Sequence, residues 1–226
     1  MPSHEINKDR RRRSILDAAR ALIAESDDGD FSMPELAKRA GLSVATPYNL
    51  IGSKSDIIIA LHDQELQRFR RQVTRIRSSP PVAALLSAAD TALKIYLTDE
   101  KYFKVLIRVS LTAIGPVQEY FTSARERFWE GFLASVVTAG CLRPGLTEQA
   151  AAHFLANIYW AGIRSWAIDR IPSSQVRKQM AHTFALAIVA IGGEDWEREA
   201  LKIAIRNQPS DGSVRPRQKA EAAPSA

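Results

Sequence analysis

The stretch from Phe31 to Lys54, FSMPELAKRAGLSVATPYNLIGSK, decides how the chain is read. Leu36, Ala37 and Ala40 sit at helical spacing and run into Gly41; the chain restarts at Ser43, and a second short segment carries Val44 to Leu50. That pattern predicts a helix, a tight turn and a helix. Leu36, Ala40, Leu42, Pro47 and Leu50 fall where such a pair buries its inner faces, and Ala37 is small where the helices must approach closely. Gly41 stands where the first helix needs a positive φ in order to stop. Ser43 is placed to cap the amides of the second helix. The residues left outside are short and polar: Thr46, Tyr48 and Asn49, with Ala45 beside them, then Ser53 and Lys54. With Ser43 and Val44 at its leading edge, that surface suits a DNA groove and its phosphates.

The longer string AGLSVATPYNLIGSKSDII resembles the DNA-binding signature of the TetR family of bacterial transcriptional regulators. Ala-Gly-(Val/Leu)-Ser corresponds to Ala40 to Ser43, Thr-x-Tyr of the recognition helix to Thr46 to Tyr48, and the Ser-Lys that opens the fourth helix to Ser53 and Lys54. The resemblance covers roughly residues 10 to 60, about a quarter of the chain. Two positions depart from the pattern: Pro47 replaces an aliphatic residue, and Ile51 stands where an aromatic one is more usual. Proline has no amide donor, so the recognition helix is expected to begin late or to bend.

Length and composition agree with a soluble helical protein. The 226 residues suffice for a small module and a larger domain, and 46% apolar content is ordinary. The single cysteine, Cys141, excludes an intrachain disulfide framework and a Cys-rich zinc site, which suits a reducing cytoplasm. No run reaches the ~18 to 20 apolar residues of a membrane span, and no apolar stretch of signal-peptide type follows the basic N-terminus. The chain is therefore read as cytoplasmic and without a membrane partner.

The net charge of +6 permits nucleic-acid binding, and its distribution carries more information than its size. Over residues 1–56, nine Lys/Arg oppose nine Asp/Glu. Lys8 and Arg10 to Arg13 form a basic arm, with Arg12 and Arg13 nearest the module. Glu25, Asp27, Asp28 and Asp30 form an acidic loop, so the basic end is expected to face the duplex and the acidic loop to face away.

Around this module the pattern is all-α. Ile15, Leu16, Ala19, Leu22 and Ile23 predict an amphipathic helix from about Asn7 to Ala24 behind the helix-turn-helix. A long helix from Lys54 to about Arg77 joins the module to the rest, with Ile57, Ile58, Leu61, Leu66 and Phe69 inward and Arg68, Arg70, Arg71 and Arg75 outward. Further helices are predicted at about Val82–Leu97, Lys101–Ala113, Pro116–Thr138, Glu148–Asp169 and Gln175–Ile191, and a short one at Asp195–Arg206. This divides the chain into a DNA-binding domain (1–54), an effector-binding and dimerisation domain (55–207) and a disordered tail (208–226).

Two parts of the larger domain carry functional signals. Tyr102, Phe103, Leu106, Phe121, Phe128, Trp129, Phe132, Tyr159, Trp160 and Trp166 place aromatic and apolar residues at helical spacing, either as core or as the lining of an apolar pocket. The TetR resemblance implies a small-molecule effector there, held by Tyr102, Phe103, Leu106, Phe121, Phe128, Trp129, Tyr159 and Trp160. In the last two long helices, Ala151, Ala152, Ala156, Ala161, Gly162, Ala181, Ala185, Ala187 and Ala190 allow close helix approach. Either both helices are internal to one copy or they form a four-helix bundle with a second copy, and the bundle is the expectation in line with the resemblance.

Catalytic and metal chemistry leave no trace in the sequence. His4, His62, His153 and His182 are scattered, and no H-E-x-x-H, G-x-S-x-G or Walker loop occurs. No cofactor is implied. The expected function is a homodimeric, ligand-responsive regulator acting on a palindromic double-stranded operator, a repressor if the resemblance holds. Ala45, Thr46 and Asn49 would face bases, while Tyr48, Ser53, Lys54 and the arm arginines would face phosphates. Two other classes stay open: a helical protein–protein interaction module and a small-molecule-processing helical enzyme.

Overall fold

The computed structural model describes residues 2–73, 76, 80–112, 115–138 and 140–209, and every regular element among them is helical. An isolated antiparallel bridge joins Leu142 to Gly192. The helices are α1 (Pro2–Glu25), α2 (Met33–Arg39), α3 (Ala45–Leu50), α4 (Lys54–Val73) and α5 (Pro81–Thr98), followed by α6 (Glu100–Thr112), α7 (Pro116–Leu133), α8 (Glu148–Ala167), α9 (Ser173–Ile191) and α10 (Glu194–Arg206). Arg75, Ala113 and the tail beyond Pro209 lie outside the described residues.

The first three helices close around the apolar stripe of α1. Ile15, Leu16, Ala19, Leu22 and Ile23 are buried, as are Leu36 and Ala37 of α2 and Ile57, Ile58 and Leu61 of α4. Each fully buried Leu or Ile contributes ~1.5–3 kcal/mol relative to exposure, enough for this small core to hold two very short helices. The basic segment is not an arm: Lys8 and Arg10 to Arg13 lie within α1, which starts at Pro2 rather than near Asn7.

Local signals set the ends of α2. Ser32 Oγ accepts from the Glu35 amide at 3.2 Å while the Ser32 amide donates to Glu35 Oε2 at 3.5 Å, a capping box. At the other end Leu42 N donates to Ala37 O at 2.9 Å and Gly41 N to Lys38 O at 3.1 Å, with Gly41 at φ 68°. This is the paired bonding of a Schellman stop, which needs the left-handed residue that Gly41 supplies.

The second helix starts differently from the sequence reading. Its N-cap is Val44, in right-handed helical geometry and without a side-chain cap. Ser43 does not cap amides: its hydroxyl pairs with Thr46 Oγ1 at 2.8 Å, and its carbonyl takes the Thr46 amide at 2.9 Å. The Thr46 amide within reach of Ser43 goes to the Ser43 carbonyl rather than to its hydroxyl, and Pro47, at the third helical position, has no amide to offer a cap at Val44. The same proline is buried against the module, and half-buried Ile51 also packs on the core. The result is a late start, with α3 beginning at Ala45.

α4 begins with a second box: the Ser53 amide and hydroxyl both donate to Asp56 Oδ2 at 2.7 Å, and the Asp56 amide reaches back to Ser53 Oγ. These bonds, the hydroxyl first, hold the Asp56 carboxyl below its ordinary range. From there α4 packs on α1, α5 and α7, so it ties the module to the larger domain, and α1 packs directly on α6. A single connected core runs through both parts, from Ile15 to Ala200.

In the larger domain α7 stops at Leu133, short of the predicted Thr138, and gives way to a turn. The alanine stripe is spent largely inside one copy. Ala151, Ala152, Ala156, Ala185 and Ala187 are buried, and Gly162 leaves room for Met180 of α9. α10 lies along α9, burying Trp196, Ala200 and Ala204, with His182 Nδ1 2.8 Å from Ala204 O. What stays outside on α8 and α9 includes Phe154, Ala161, Thr183, Leu186 and Ala190.

Candidate nucleic-acid interface and internal slot

The outer face of α3 is exposed and carries no charge. Ser43, Val44, Ala45, Tyr48 and Asn49 are all exposed, Val44 by 47% and Tyr48 by 51%, whereas Thr46 is half-buried and tied to Ser43. Large side chains this open on a six-residue helix leave surface that the fold itself does not use. At ~1.5 Å per residue the helix is about 9 Å long, short enough to lie within a major groove ~12 Å wide.

Positive charge gathers at the C-terminal end of this helix. Arg12 Nη1 donates to Leu50 O at 3.1 Å, so an α1 arginine satisfies the last turn of α3 and complements its dipole. Arg13 is exposed and borders a surface hollow formed with Asp9, Gln64 and Gln67. Ser53 is occupied as the α4 cap. Lys54 is half-buried, paired with Asp30 and 4.7 Å from the Phe31 ring centroid. The acidic loop is therefore not remote from the basic residues, because Asp30 reaches Lys54 across the front of α4. Elsewhere in that loop Glu25 pairs with Arg39, whose hydrogen bond holds the Glu25 carboxyl below its usual range.

Inside the larger domain, α4 to α8 enclose a slot of ≈ 60 Å³. Phe103, Leu106, Ile107 and Ser110 line it from α6 at the spacing of a single helical face, Phe121 from α7 and Trp160 from α8. α4 contributes His62, Glu65, Leu66 and Phe69, again on one face, and α5 contributes Ala92, Ile95 and Tyr96. The volume is well below the ~300–1,000 Å³ of pockets for drug-sized ligands, so a larger occupant has to part the helices.

The polar groups around this slot are unusual. His62 Nδ1 and Glu65 Oε2 are buried and make no hydrogen bond among the described residues. Burial, then the positive charge of Arg125, pushes the His62 imidazole down to about 4, against the opposing pull of Asp63. Its ring stands edge-on to Phe121 at 4.5 Å. Burial raises the Tyr96 hydroxyl to about 12. Arg125 lies 4.2 Å over the Trp160 ring with no carboxylate within ion-pair distance among the described residues, and burial lowers its pKa.

Of the eight pocket residues expected from the sequence, Phe103, Leu106, Phe121 and Trp160 line the slot. The other four pack elsewhere. Tyr102 is buried beneath the Arg20 guanidinium, 4.0 Å from its ring centroid. Phe128, Trp129 and Tyr159 join Phe132 and Phe184 in an aromatic cluster, where Tyr159 donates to Ala89 O at 3.2 Å. The sequence reading missed the α4 and α5 walls. Its available signal was His62, Glu65, Leu66 and Phe69 at intervals of three and four, with two polar residues on an otherwise apolar face.

The described residues include no group of three or more His, Cys, Asp and Glu side chains placed to hold a metal ion, and no described helix is long and apolar enough to cross a membrane. Cys141 Sγ lies 2.8 Å from Thr138 Oγ1.

Comparison with known proteins falls on the same segment. Residues 15–61 match the family model "Bacterial regulatory proteins, tetR family". No curated protein matches the chain significantly. Among solved structures, NalD of Pseudomonas aeruginosa, described as the secondary repressor of the MexAB-OprM multidrug efflux pump, superposes with a TM-score of 0.61 at 18% identity, covering 84% of this chain and 99% of NalD. SmeT, the repressor of the Stenotrophomonas maltophilia efflux pump SmeDEF, gives a TM-score of 0.65 at 18% identity over 82% of this chain and 92% of its own. Bacillus subtilis FadR, a transcriptional regulator solved with stearoyl-CoA, gives 0.65 at 18% identity over 78% and 97%. The all-helical fold, with its N-terminal helix-turn-helix, is therefore shared with TetR-family regulators.

Proposed function

We propose that the chain is a homodimeric, ligand-responsive DNA-binding regulator of transcription, a cytoplasmic repressor released from a palindromic operator when a small molecule enters the slot. The observation that carries this reading is the uncharged, exposed face of α3, anchored by a buried proline and an α1 arginine. Residues 1–54 form the DNA-binding unit, 55–207 the effector and dimer unit, and the remainder a tail. Ala45 and Asn49 reach base edges. Val44 and Tyr48 contribute apolar contact and a phosphate bond. Arg12, Arg13, Ser43, Thr46, Ser53 and Lys54 complete the surface facing the duplex.

Dimerisation uses the exposed strip of α8 and α9, with Phe154, Ala161, Leu186 and Ala190 at its centre. A stable contact of this kind buries on the order of 1,500 Å². Two-fold symmetry then sets the recognition helices ~34–36 Å apart, or a multiple of that, on half-sites of opposite orientation. The slot acts through α4, which touches both the module and the slot wall, and whose tilt changes that separation. The effector weakens operator binding only by its difference in affinity for the two arrangements, typically ~1–3 kcal/mol.

Selection of bound fragments from random duplex DNA, together with sedimentation of the free protein, tests the reading. The expected result is a dimer at micromolar concentration and enrichment of inverted repeats, with affinity falling steeply as salt rises. A monomer, or equal affinity for symmetric and arbitrary duplex, would overturn it.

A further inference from the structure

We infer that the occupant of the slot is recognised by an N–H or O–H donor presented to Glu65, and that this same carboxylate passes slot occupancy to the DNA-facing module through Arg20. The inference rests on the reading of the slot as an effector site and adds to it the chemistry of the effector's head and the route of the signal.

Glu65 faces two ways. Its side chain is only 12% exposed, Oε1 accepts from Arg20 Nη1 of α1, and Oε2 is buried and accepts no hydrogen bond among the described residues. The cation next to Oε2, Arg68 Nη1, stands at 3.9 Å, beyond hydrogen-bond reach. One turn earlier on the same helix, His62 Nδ1 is likewise buried and unpartnered, and both residues line the slot. Native interiors keep few such atoms because each forfeits its hydration without replacement. Here two occur three residues apart on one wall of a cavity whose remaining lining is mostly apolar, with Phe103, Phe121 and Trp160 facing them and the side chains of Tyr96 and Ser110 as its other polar members. The complement of that wall is a flat apolar body with one donor at its edge. An anionic head is disfavoured, since it would meet the Glu65 carboxylate.

The far side of Glu65 leads out of the domain. Arg20 holds Glu65 through Nη1 and Asp99, at the α5–α6 junction, through Nη2 at 3.3 Å, while its guanidinium covers Tyr102 of α6. Arg20 thus joins α1 to α4 and α6, the contacts on which the module's orientation depends. A donor that draws the carboxylate toward the slot weakens its hold on Arg20 and leaves that arginine to Asp99. The α1–α4 link then loosens while the α1–α6 link stays.

The test uses the full chain and two probes of equal shape, 2-naphthol, which has the donor, and 2-methoxynaphthalene, which lacks it. Calorimetry should give 2-naphthol an advantage of ~10-fold or more, the scale of a hydrogen bond to a charged group. Glu65→Gln should cut that advantage to ~3-fold or less, and 2-naphthoate should bind more weakly than either probe. Equal affinities of the first two probes for the wild-type protein, or no saturable binding of either, overturn head recognition, and neither result depends on a variant that folds. For the relay, 2-naphthol should weaken binding to a duplex selected by the wild-type protein by ~5-fold or more, and Arg20→Gln should reduce that effect to within ~1.5-fold. An undiminished effect in Arg20→Gln overturns the relay. Failure to select any DNA refutes the regulator reading and the relay with it, whereas the naphthalene pair still decides how the slot recognises its occupant.

Discussion

Two glycines with nearly the same backbone geometry should respond very differently to a methyl group. Gly29, in the loop from α1 to α2, has φ 75°, and Gly41 has φ 68°. A Cβ at Gly41 meets nothing within 4 Å, whereas one at Gly29 lies 2.6 Å from Val109 Cγ2 and 2.9 Å from Val105 Cγ1 of α6. Gly41→Ala therefore costs only the left-handed penalty of an L-residue, ~1–2 kcal/mol. Gly29→Ala carries that same penalty plus overpacking of ~1–3 kcal/mol, for a total of about 2–5 kcal/mol. Urea denaturation of the full chain measures both, and a double-mutant cycle separates the two contributions. Val109→Ala removes the closer overlap, so combining it with Gly29→Ala should recover ~1–2 kcal/mol relative to the sum of the single changes, while its combination with Gly41→Ala should be additive within ~0.5 kcal/mol. If Gly29→Ala costs no more than Gly41→Ala, or if the Gly29–Val109 cycle is additive, the loop does not rest on α6 as described. The contact bears on the proposed regulation because Val105 and Val109 point to the loop from the helix whose opposite face, with Phe103, Leu106, Ile107 and Ser110, lines the slot.

Other outcomes follow from single groups. His62 has its pKa lowered from 6.5 to about 4, so folding favours its neutral form: the stability it confers is complete above pH 6.5 and is lost as pH falls toward 4. At ~1.4 kcal/mol per pH unit this is at most about 3 kcal/mol, and the urea midpoint of His62→Gln should be flatter than that of the wild type between pH 6.5 and 4.5; parallel curves would contradict the burial of His62. Ser32→Ala removes the α2 capping box and should cost ~1 kcal/mol, read as a lower melting temperature, whereas Ser43→Ala, which caps no amide, should cost less. Asp30→Asn releases Lys54 for phosphate and should strengthen binding to any duplex, and Lys54→Ala should weaken it and flatten the salt slope by about one unit; sequence preference that shifts while the slope stays fixed would reject a phosphate role for Lys54.

The local story was legible because its causes are local. The stop at Gly41, the restart before Leu50 and the buried faces of α1, α2 and α4 follow from turn chemistry and from apolar residues three and four apart, and those forces act between near neighbours in the chain. Pro47 shows the edge of that legibility: its missing amide was readable as a late helix start, but that Ser43 pairs with Thr46 in place of capping needed the geometry around both. The aromatic residues mark a second edge. Phe128, Trp129 and Tyr159 have the same spacing signal as Phe103 and Phe121, yet one set fills a cluster and the other walls a slot, because periodicity identifies an apolar face without naming the helix that covers it. The alanine stripe is ambiguous in the same way. Its small side chains do permit close approach, and α9, α10 and Met180 of the same chain claim most of it.

The order of helices, the stop at Gly41 and the exposed, uncharged face around Tyr48 and Asn49 were determined by the sequence alone, since each depends on hydrogen bonds and burial within a few turns of chain. The tertiary structure alone decided that Asp30 holds Lys54, that Arg12 closes α3, and that Glu65 stands between Arg20 and the slot. Those pairings join residues far apart along the chain, and a charged side chain's partner is set by which helices meet in space.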